Sequence, residues 1–446
     1  MTKRRMAGSG RFVALAVAMA AIFGATASSA MATVAWRVTS VSNTVVAPEG
    51  QLTYHLELTD VGDDATDGSE VKLTATLPSG LRGVSANTGS SGFECPAVAG
   101  ENVIVCSGAP SMGSDAFVTI AITVEVEPSA PETLTTFFAV EGGGTGAEAG
   151  TTLDPVRVST IQPGFGIDAF ESSILGADGT PSTNAATHST LQTTDIDINT
   201  HTDPNPFVGD AWPVEDLRDA TVSLPPGLVG NPSRFSQCSA AQLAEGEFDP
   251  KPLCPAGSQV GVVIVRHTEG AFGSVPLYNM VPPPDAPARF AFNVNGTIIS
   301  LDAHLRSSGD YGIDVTASGI PQALAIVGNS VSFWGVPDDP RHDPDRGCPG
   351  EVSPYLGGNP CSSERPPAAF FRTPTDCVGP GQVSTGLRID SWQHPGVFAE
   401  SSAPLHSGPR YPHARSEWGP PVGIEGCNRV PFEPTVRIDA TSHRAG

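Results

Sequence analysis

Apolar and polar residues alternate with a period of two along much of the chain. The alternation is clearest over residues 52–58, 71–77 and 118–126, where Leu, Val, Ile, Ala or Tyr take every second position. Successive side chains of a β-strand point to opposite faces, so this pattern places one face of each strand in a core and the other in water. Turns rich in Gly, Pro and Asp separate the strands, which predicts an antiparallel β-sandwich.

The same kind of strand recurs further along. Strands are predicted at residues 195–199, 221–224, 260–265, 289–294 and 297–305, with one short helical turn at 242–246. Asn295-Gly296 separates the last two strands and favours a tight hairpin, because both turn positions need a positive φ. The motif Leu224–Leu228 repeats the Leu-Pro-x-Gly-Leu pattern of Leu77–Leu81, and a cysteine follows each within about fifteen residues. We therefore expect a second sandwich on a similar plan.

The first 32 residues have the composition of a secretory signal peptide. Four basic residues precede or border an apolar run at 12–23, and Ala30-Met31-Ala32 follows as a small-residue cleavage site. The run is shorter than the roughly 20 apolar residues that a membrane-spanning helix needs. We expect cleavage after Ala32, or after Ala30, and no transmembrane segment in the chain that remains. The predicted location is secreted or cell-surface.

The charge balance excludes one class of partner. The chain has 24 Lys and Arg against 47 Asp and Glu, and loss of the four leader cations would move its formal charge from -23 to -27. Such a chain repels nucleic acid and anionic lipid, so no nucleic-acid partner is expected. Gly and Pro are abundant, at 49 and 42 residues, which suits a β-protein with many turns.

An exported chain with eight cysteines is expected to form disulfides. The cysteines fall in local pairs, and no C-x-x-C motif suggests a zinc or redox site. The spacing predicts Cys95–Cys106 and Cys238–Cys254, with the last four cysteines pairing among themselves. The preferred choice for those four is Cys348–Cys361 and Cys377–Cys427.

Residues 34–158 resemble the conserved repeat domain of bacterial surface proteins, an immunoglobulin-like domain of no assigned function. Four features carry the resemblance: Pro48–Tyr54, Leu77–Leu81, the cysteines 95 and 106, and the strand Val118–Val126. Asp60-Val61-Gly62 departs mildly from the usual Asn-x-Gly. The resemblance implies a spacer or adhesive stalk on an exported protein.

The stretches Val275–Asn279 and Phe333–Asp338 resemble large uncharacterised secreted proteins of soil actinobacteria, in which one module runs from near residue 160 to near 435. Those relatives continue further, so a short or truncated member is expected here.

The expected fold class is all-β, with tandem immunoglobulin-like β-sandwich domains at 33–158 and 159–340. Residues 341–446, rich in Pro, Gly and Cys, are expected to form a disulfide-tied, loop-rich lobe of the second domain; a loose tail is the alternative.

The sequence offers several weak candidates for chemistry. No serine-hydrolase elbow, H-E-x-x-H or phosphate-binding loop is present. The acidic cluster 338–345 and the stretch 59–67 could supply oxygen ligands to Ca²⁺. The cluster lacks the expected spacing and is interpreted as a charged surface loop, and the stretch 59–67 is interpreted as a solvated turn. Asp195, Asp197 and Asn199 share one strand face, interpreted as an outward polar face with a calcium or sugar site as the alternative. Four loop histidines are interpreted as solvated, with a metal ligand or a general base as the alternative: His342, His394, His406 and His413.

Tryptophans could serve as sugar platforms. Trp334 lies in an apolar context and is assigned to the core, whereas Trp392 and Trp418 lie among polar residues and are the better candidates. Asn295-Gly296-Thr297 matches a glycosylation sequon, but the hairpin turn explains it.

The favoured function is a non-catalytic structural or adhesive protein with an extracellular or cell-wall partner and no cofactor. A carbohydrate-binding or hydrolytic protein that uses the C-terminal third is the alternative.

Overall fold

The structure is a computed structural model. It describes residues 33–430 except positions 63, 115, 177–178, 203–210, 245–250, 269, 308, 352–359 and 407–418, and of residues 271–273 it describes the backbone only. The signal-peptide prediction therefore lies outside the described residues. Among those residues, no helix has the length and apolarity that a membrane span needs.

The first ten strands form two sheets. Their bounds are β1 Trp36–Val41, β2 Val45–Val46, β3 Gln51–Asp60, β4 Val71–Thr76, β5 Leu81–Asn87, β6 Phe93–Glu94, β7 Val103–Gly108, β8 Phe117–Val126, β9 Thr133–Gly142 and β10 Gly150–Val158. One sheet has the order β1-β3-β8-β5 and the other β2-β10-β9-β4-β7-β6, antiparallel except for the β2–β10 pair. The alternating apolar residues of both sheets form one core. We call this part the sandwich.

Tyr54 places a hydroxyl group in the core of the sandwich. Tyr54 is fully buried and packs edge-on against Phe138, with ring centroids 5.2 Å apart. Its hydroxyl lies 2.8 Å from Thr136 Oγ1. A buried phenol needs such a partner, because an unpaired hydroxyl in a core costs about 1–3 kcal/mol.

The later strands form one large closed sheet. Their bounds are β11 Ile167–Leu175, β12 Leu191–Ile198, β13 Thr200–His201, β14 Trp212–Pro213, β15 Leu217–Ser223, β16 Val229–Gly230, β17 Gln259–His267, β18 Gly270–Met280, β19 Ala288–Val294, β20 Thr297–Leu305, β21 Ile313–Ala317, β22 Ile326–Trp334, β23 Phe371–Arg372, β24 Ser384–Ser391 and β25 Ala399–His406. The closed order is β11-β12-β22-β17-β18-β19-β20-β21-β15-β24-β25, and the parallel β11–β25 pair completes it. We call this part the barrel. The pairs β13–β14 and β16–β23 form two small separate sheets.

Helical structure among the described residues is limited to short turns. The helix α1 spans Ala240–Leu243 and begins with a capping box, in which Ser239 and Gln242 bond each other's backbone N–H. Single 3-10 turns lie at Pro232–Arg234, Ala256–Ser258, Gln322–Leu324, Pro340–His342 and Cys427–Arg429. The predicted helical turn at 242–246 is thus displaced towards the N-terminus, and its last two residues lie outside the described ones.

The structure contains four disulfides, each local in sequence. They join Cys95 to Cys106, Cys238 to Cys254, Cys348 to Cys361 and Cys377 to Cys427. The pairing stays a prediction, to be tested by non-reducing peptide mapping.

The sandwich and the barrel meet in a buried, mostly polar interface. Strand β1 is buried along its whole length because one face packs in the sandwich core and the other against the barrel. Arg37 donates to Ser274 Oγ on β18 at 3.3 Å, and Thr44 and Thr200 each donate their backbone N–H to the other's hydroxyl at 2.9 and 3.0 Å. Asn43 Nδ2 donates to Thr202 at 2.6 Å. These contacts fix the two parts relative to each other.

The all-β fold class is confirmed, and so is the hairpin at Asn295-Gly296, where Val294 pairs with Thr297 and both turn residues have positive φ. The second region differs from the expected two-sheet form, because its strands close into a single barrel. Strands β24 and β25 lie beyond residue 340 and take part in that closure. The sequence assigned this segment to a loop-rich lobe of the second domain, because only the short run 387–392 within it is periodic.

Candidate functional site

The acidic cluster at 338–345 is held by its own arginines. Arg341 bonds Asp339 at 2.6 Å, and Arg346 lies 3.2 Å from Asp343. Arg346 is fully buried and also donates to the carbonyl of Pro337 at 2.6 Å. The cluster therefore forms an internally paired loop, and its carboxylates do not converge on a common point.

His342 lies at the centre of this loop and stacks on Trp334. The ring centroids are 4.3 Å apart and nearly parallel, and the guanidinium of Arg346 lies 5.2 Å from the indole centroid. Burial lowers the pKa of His342 to about 3, so the imidazole is neutral at neutral pH. The solvated histidine expected from the sequence is thus replaced by one packed against the tryptophan. A neutral ring wedged in this way is poorly placed as a general base.

The Asp195–Asp197 face is buried, whereas the sequence predicted an outward polar face in water. Arg266 on β17 has no exposed side-chain surface and donates to Asp195 at 2.8 Å and to Asp197 at 3.0 Å. Its remaining donors reach Ser330 Oγ and the carbonyl of Ile196 at 2.9 and 2.8 Å. The correction has a tertiary cause: near this cluster Val327 on β22 is buried together with Val41 of the sandwich and Ala211, so distant segments cover this part of the barrel.

This cluster leaves no room for a ligand. A Cβ at Gly328 would collide with both Asp197 and Arg266, so a glycine is required for the close approach. Burial raises the pKa of Asp195 to about 6, while the nearby guanidinium of Arg266 opposes the rise. The cluster is a compensated buried ion pair, and calcium or sugar binding there would require Arg266 to leave.

The stretch 59–67 divides into a buried and an exposed end. Asp60 is fully buried and accepts the backbone N–H groups of Ala35 and Gly62 at 3.2 and 3.0 Å. Burial raises the pKa of Asp60 to about 6. Asp67 instead makes an exposed turn with Ser69, and Asp63 lies outside the described residues. Asp60 thus fixes the local chain path.

Trp392 and His394 lie close together at one end of the barrel. The Trp392 side chain is 40% exposed, its Nε1 donates to the carbonyl of Ile320 at 2.7 Å, and Arg218 lies over its ring at 5.5 Å. His394 Nδ1 lies 2.9 Å from Glu215. The Ser391 hydroxyl bonds the same carboxylate. Serine and histidine thus share an acceptor, so this trio is not arranged as a nucleophile and its base.

The other sequence candidates do not join this group. His406 lies 3.3 Å from Glu171 on β11, while His413 and Trp418 lie outside the described residues. Asn295 occupies the hairpin turn. Within the described residues no group of three or more His, Cys, Asp or Glu side chains is arranged to hold a metal ion.

The barrel interior contains a cavity that the sequence did not reveal. Its volume is about 350 Å³, and apolar side chains from at least six strands line it. Phe290, Phe333, Phe370 and Phe371 form an aromatic cluster at one end, with centroids 4.7–6.2 Å apart. His304 and Leu305 border the cavity and are exposed. The cavity therefore reaches the surface near the end of β20.

Polar side chains also line this apolar cavity. Gln192 and Thr194 project from β12 and are 3% and 5% exposed, and Asn329 projects from the neighbouring β22. None of the three side chains hydrogen-bonds a described residue. The only signal in the sequence is that Gln192 and Thr194 lie on the same strand face as Ile196. From sequence alone, such a pair cannot be distinguished from polar residues that face solvent.

Comparison with known proteins adds little. No family model matches the chain, and no curated protein matches it. The resemblances stated from sequence therefore stay predictions.

Solved structures that align with much of this chain, at low identity and low TM-score, include several bacterial surface proteins. One is the Enterococcus faecalis MSCRAMM ACE, at 7% identity over 82% of this chain and 93% of the other, with a TM-score of 0.19. Another is the enterococcal surface protein, partial N-terminal region, at 8% over 83% and 94%, with a TM-score of 0.24. A third is the Staphylococcus aureus collagen adhesin, at 10% over 84% and 95%, with a TM-score of 0.17. At such scores the likeness carries no argument.

Proposed function

We propose that this is a secreted or cell-surface structural or adhesive protein without catalytic activity. The observation that carries the proposal is the buried interface between sandwich and barrel, in which Arg37, Thr44 and Thr200 connect the two parts. A polar interface of this kind holds two β-modules in one fixed arrangement, since each buried donor needs its partner. Fixed geometry suits a protein that spaces or presents a surface outside the cell.

The distribution of charge supports the same function. Several acidic residues that the sequence offered as ligands or acids are paired to arginines within the fold, as in Arg266 with Asp195 and Arg341 with Asp339. Their hydrogen-bonding capacity is used for stability. The four disulfides add the kind of covalent staple that extracellular domains carry.

The experiment has two arms. Fractionation of the native host should place the chain in the culture medium or on the cell wall, with an N-terminus at residue 33 or 31. A binding screen against cell-wall fragments, glycans and extracellular proteins should then yield a partner, while a panel of glycoside, ester, peptide and phosphate substrates shows no turnover. Turnover that disappears in His394→Ala would contradict the proposal, as would a cytoplasmic location.

A carbohydrate-binding function at the end of the barrel is the second candidate, favoured by the exposed part of Trp392. The matched control is Phe398, which is 48% exposed and has Arg388 over its ring at 4.4 Å. If sugar stacks on the indole, Trp392→Ala should abolish glycan binding and Phe398→Ala should leave it unchanged. Equal binding by both variants and the unaltered protein would remove this candidate.

A further inference from the structure

The barrel cavity has the properties of a ligand site. Its volume of about 350 Å³ lies within the range of small-molecule pockets, which are commonly apolar with a few placed polar groups. Side chains such as Ile196, Phe292 and Leu301 supply the apolar wall. A cavity of this size in a barrel core forfeits packing contacts, and an apolar occupant would restore them.

The polar residues in the cavity identify the chemistry of the ligand. Gln192 and Thr194 are more than nine-tenths buried, and their side chains make no hydrogen bond with any described residue. Buried polar groups in native proteins almost always have partners. Asn329 lies beside them, opposite Ile196 on the adjacent strand. Together they offer hydrogen-bond donors and acceptors on one side of an otherwise apolar chamber.

The lining has no fixed charge. Among the described residues around the cavity there is no Asp, Glu, Lys or Arg, and the one titratable side chain, His304, lies at the exposed edge. A carboxylate or phosphate would therefore lose its hydration without gaining a counter-ion, which is unfavourable. A neutral hydroxyl, ester or amide could bond Gln192 and Thr194 at no such cost.

We infer that the barrel binds an apolar molecule with one uncharged hydrogen-bonding group, such as a fatty alcohol or acyl ester. The apolar chain lies among the aliphatic and aromatic side chains, and the polar group bonds Gln192 and Thr194. This inference goes beyond the structural or adhesive function and does not depend on it.

The test uses the purified full chain and the neutral fluorescent probe N-phenyl-1-naphthylamine. The probe should gain fluorescence on binding, and 1-dodecanol should displace it. Dodecanoate, with the same chain length and a charge at pH 8, should displace it about tenfold less well or worse, since one buried hydrogen bond and the desolvation of a charge separate the two. Equal displacement by alcohol and carboxylate would overturn the neutral-ligand assignment.

Three variants locate the site. Ala303→Phe places a ring in the cavity and should abolish displaceable probe binding. Thr194→Val should weaken dodecanol binding by about tenfold, the value of one hydrogen bond. Thr193→Val is the matched control, because the side chain of Thr193 points away from the cavity and its hydroxyl lies 2.9 Å from that of Ser332. Unchanged probe binding in Ala303→Phe, or equal effects of the two valine substitutions, would overturn the site.

Circular dichroism shows whether Ala303→Phe folds. If it does not fold, a second measurement on the unaltered protein tests the same site. The unaltered protein is photolabelled with a diazirine analogue of dodecanol and then mapped by mass spectrometry. Label on β12, β20 or β22 supports the inference, and label confined to other segments contradicts it.

Discussion

Replacement of Arg266 by methionine tests whether the buried charge cluster outside the barrel stabilises the fold. Methionine keeps the aliphatic bulk of the side chain but leaves Asp195 and Asp197 buried without a cation. Removal of one partner of a buried ion pair costs about 3–5 kcal/mol, because the remaining charge is neither hydrated nor paired. We expect a loss in the free energy of unfolding of that size at neutral pH.

The loss should depend on pH in a defined direction. Burial already raises the pKa of Asp195 to about 6, and the guanidinium of Arg266 limits that rise. Without the guanidinium the folded-state pKa rises further, so the folded variant takes up a proton more readily than its unfolded chain. Its stability therefore improves as the pH falls, and the deficit relative to the unaltered protein shrinks. Urea unfolding followed by circular dichroism at about pH 5, 6 and 8 measures this.

Arg289 provides the matched control. It makes a bidentate pair with Asp302 at 2.6 and 2.7 Å on the neighbouring strand, but both side chains are partly exposed. Exposed pairs contribute about 0.2–1 kcal/mol, so Arg289→Met should cost that amount at most. If the two methionine variants lose equal stability, or if the Arg266 deficit does not change with pH, the argument from burial is wrong.

Three further outcomes are expected. Asp60→Asn should stabilise the protein by about 1–2 kcal/mol at pH 7, because the folded-state pKa of Asp60 is raised to about 6 and the buried carboxylate is charged there. The unaltered protein gains stability as the pH falls from 7 to about 4, so the difference in thermal stability between the two proteins should disappear below about pH 4. Joint replacement of Cys95 and Cys106 by Ala should lower stability by about 2–3 kcal/mol in urea, and a change under 0.5 kcal/mol would argue against the bond. Thr200→Val should increase proteolytic cleavage between sandwich and barrel, because it removes hydroxyl bonds to Thr44 and Ser42; unchanged cleavage would mean that these bonds do not hold the interface.

Much of the β-structure could be predicted from local pattern alone. The alternation at 52–58 and 118–126 falls within β3 and β8, and Asn295-Gly296 marked its hairpin correctly. These features follow from adjacent residues, since side-chain direction alternates along any strand and a positive φ is a local demand. The all-β fold class therefore followed from the sequence.

What covers each strand face was decided by tertiary structure. Alternation placed Asp195 and Asp197 on one face but could not show that a guanidinium 71 and 69 residues away would compensate them there. It gave no sign that Gln192 and Thr194, which precede the predicted strand at 195–199, lie on a face that became the inside of a barrel when β11 met β25. Arg37 and Ser274, which join the two parts, are 237 residues apart. Local sequence sets the direction of a side chain, whereas its burial depends on which distant segments pack against that face.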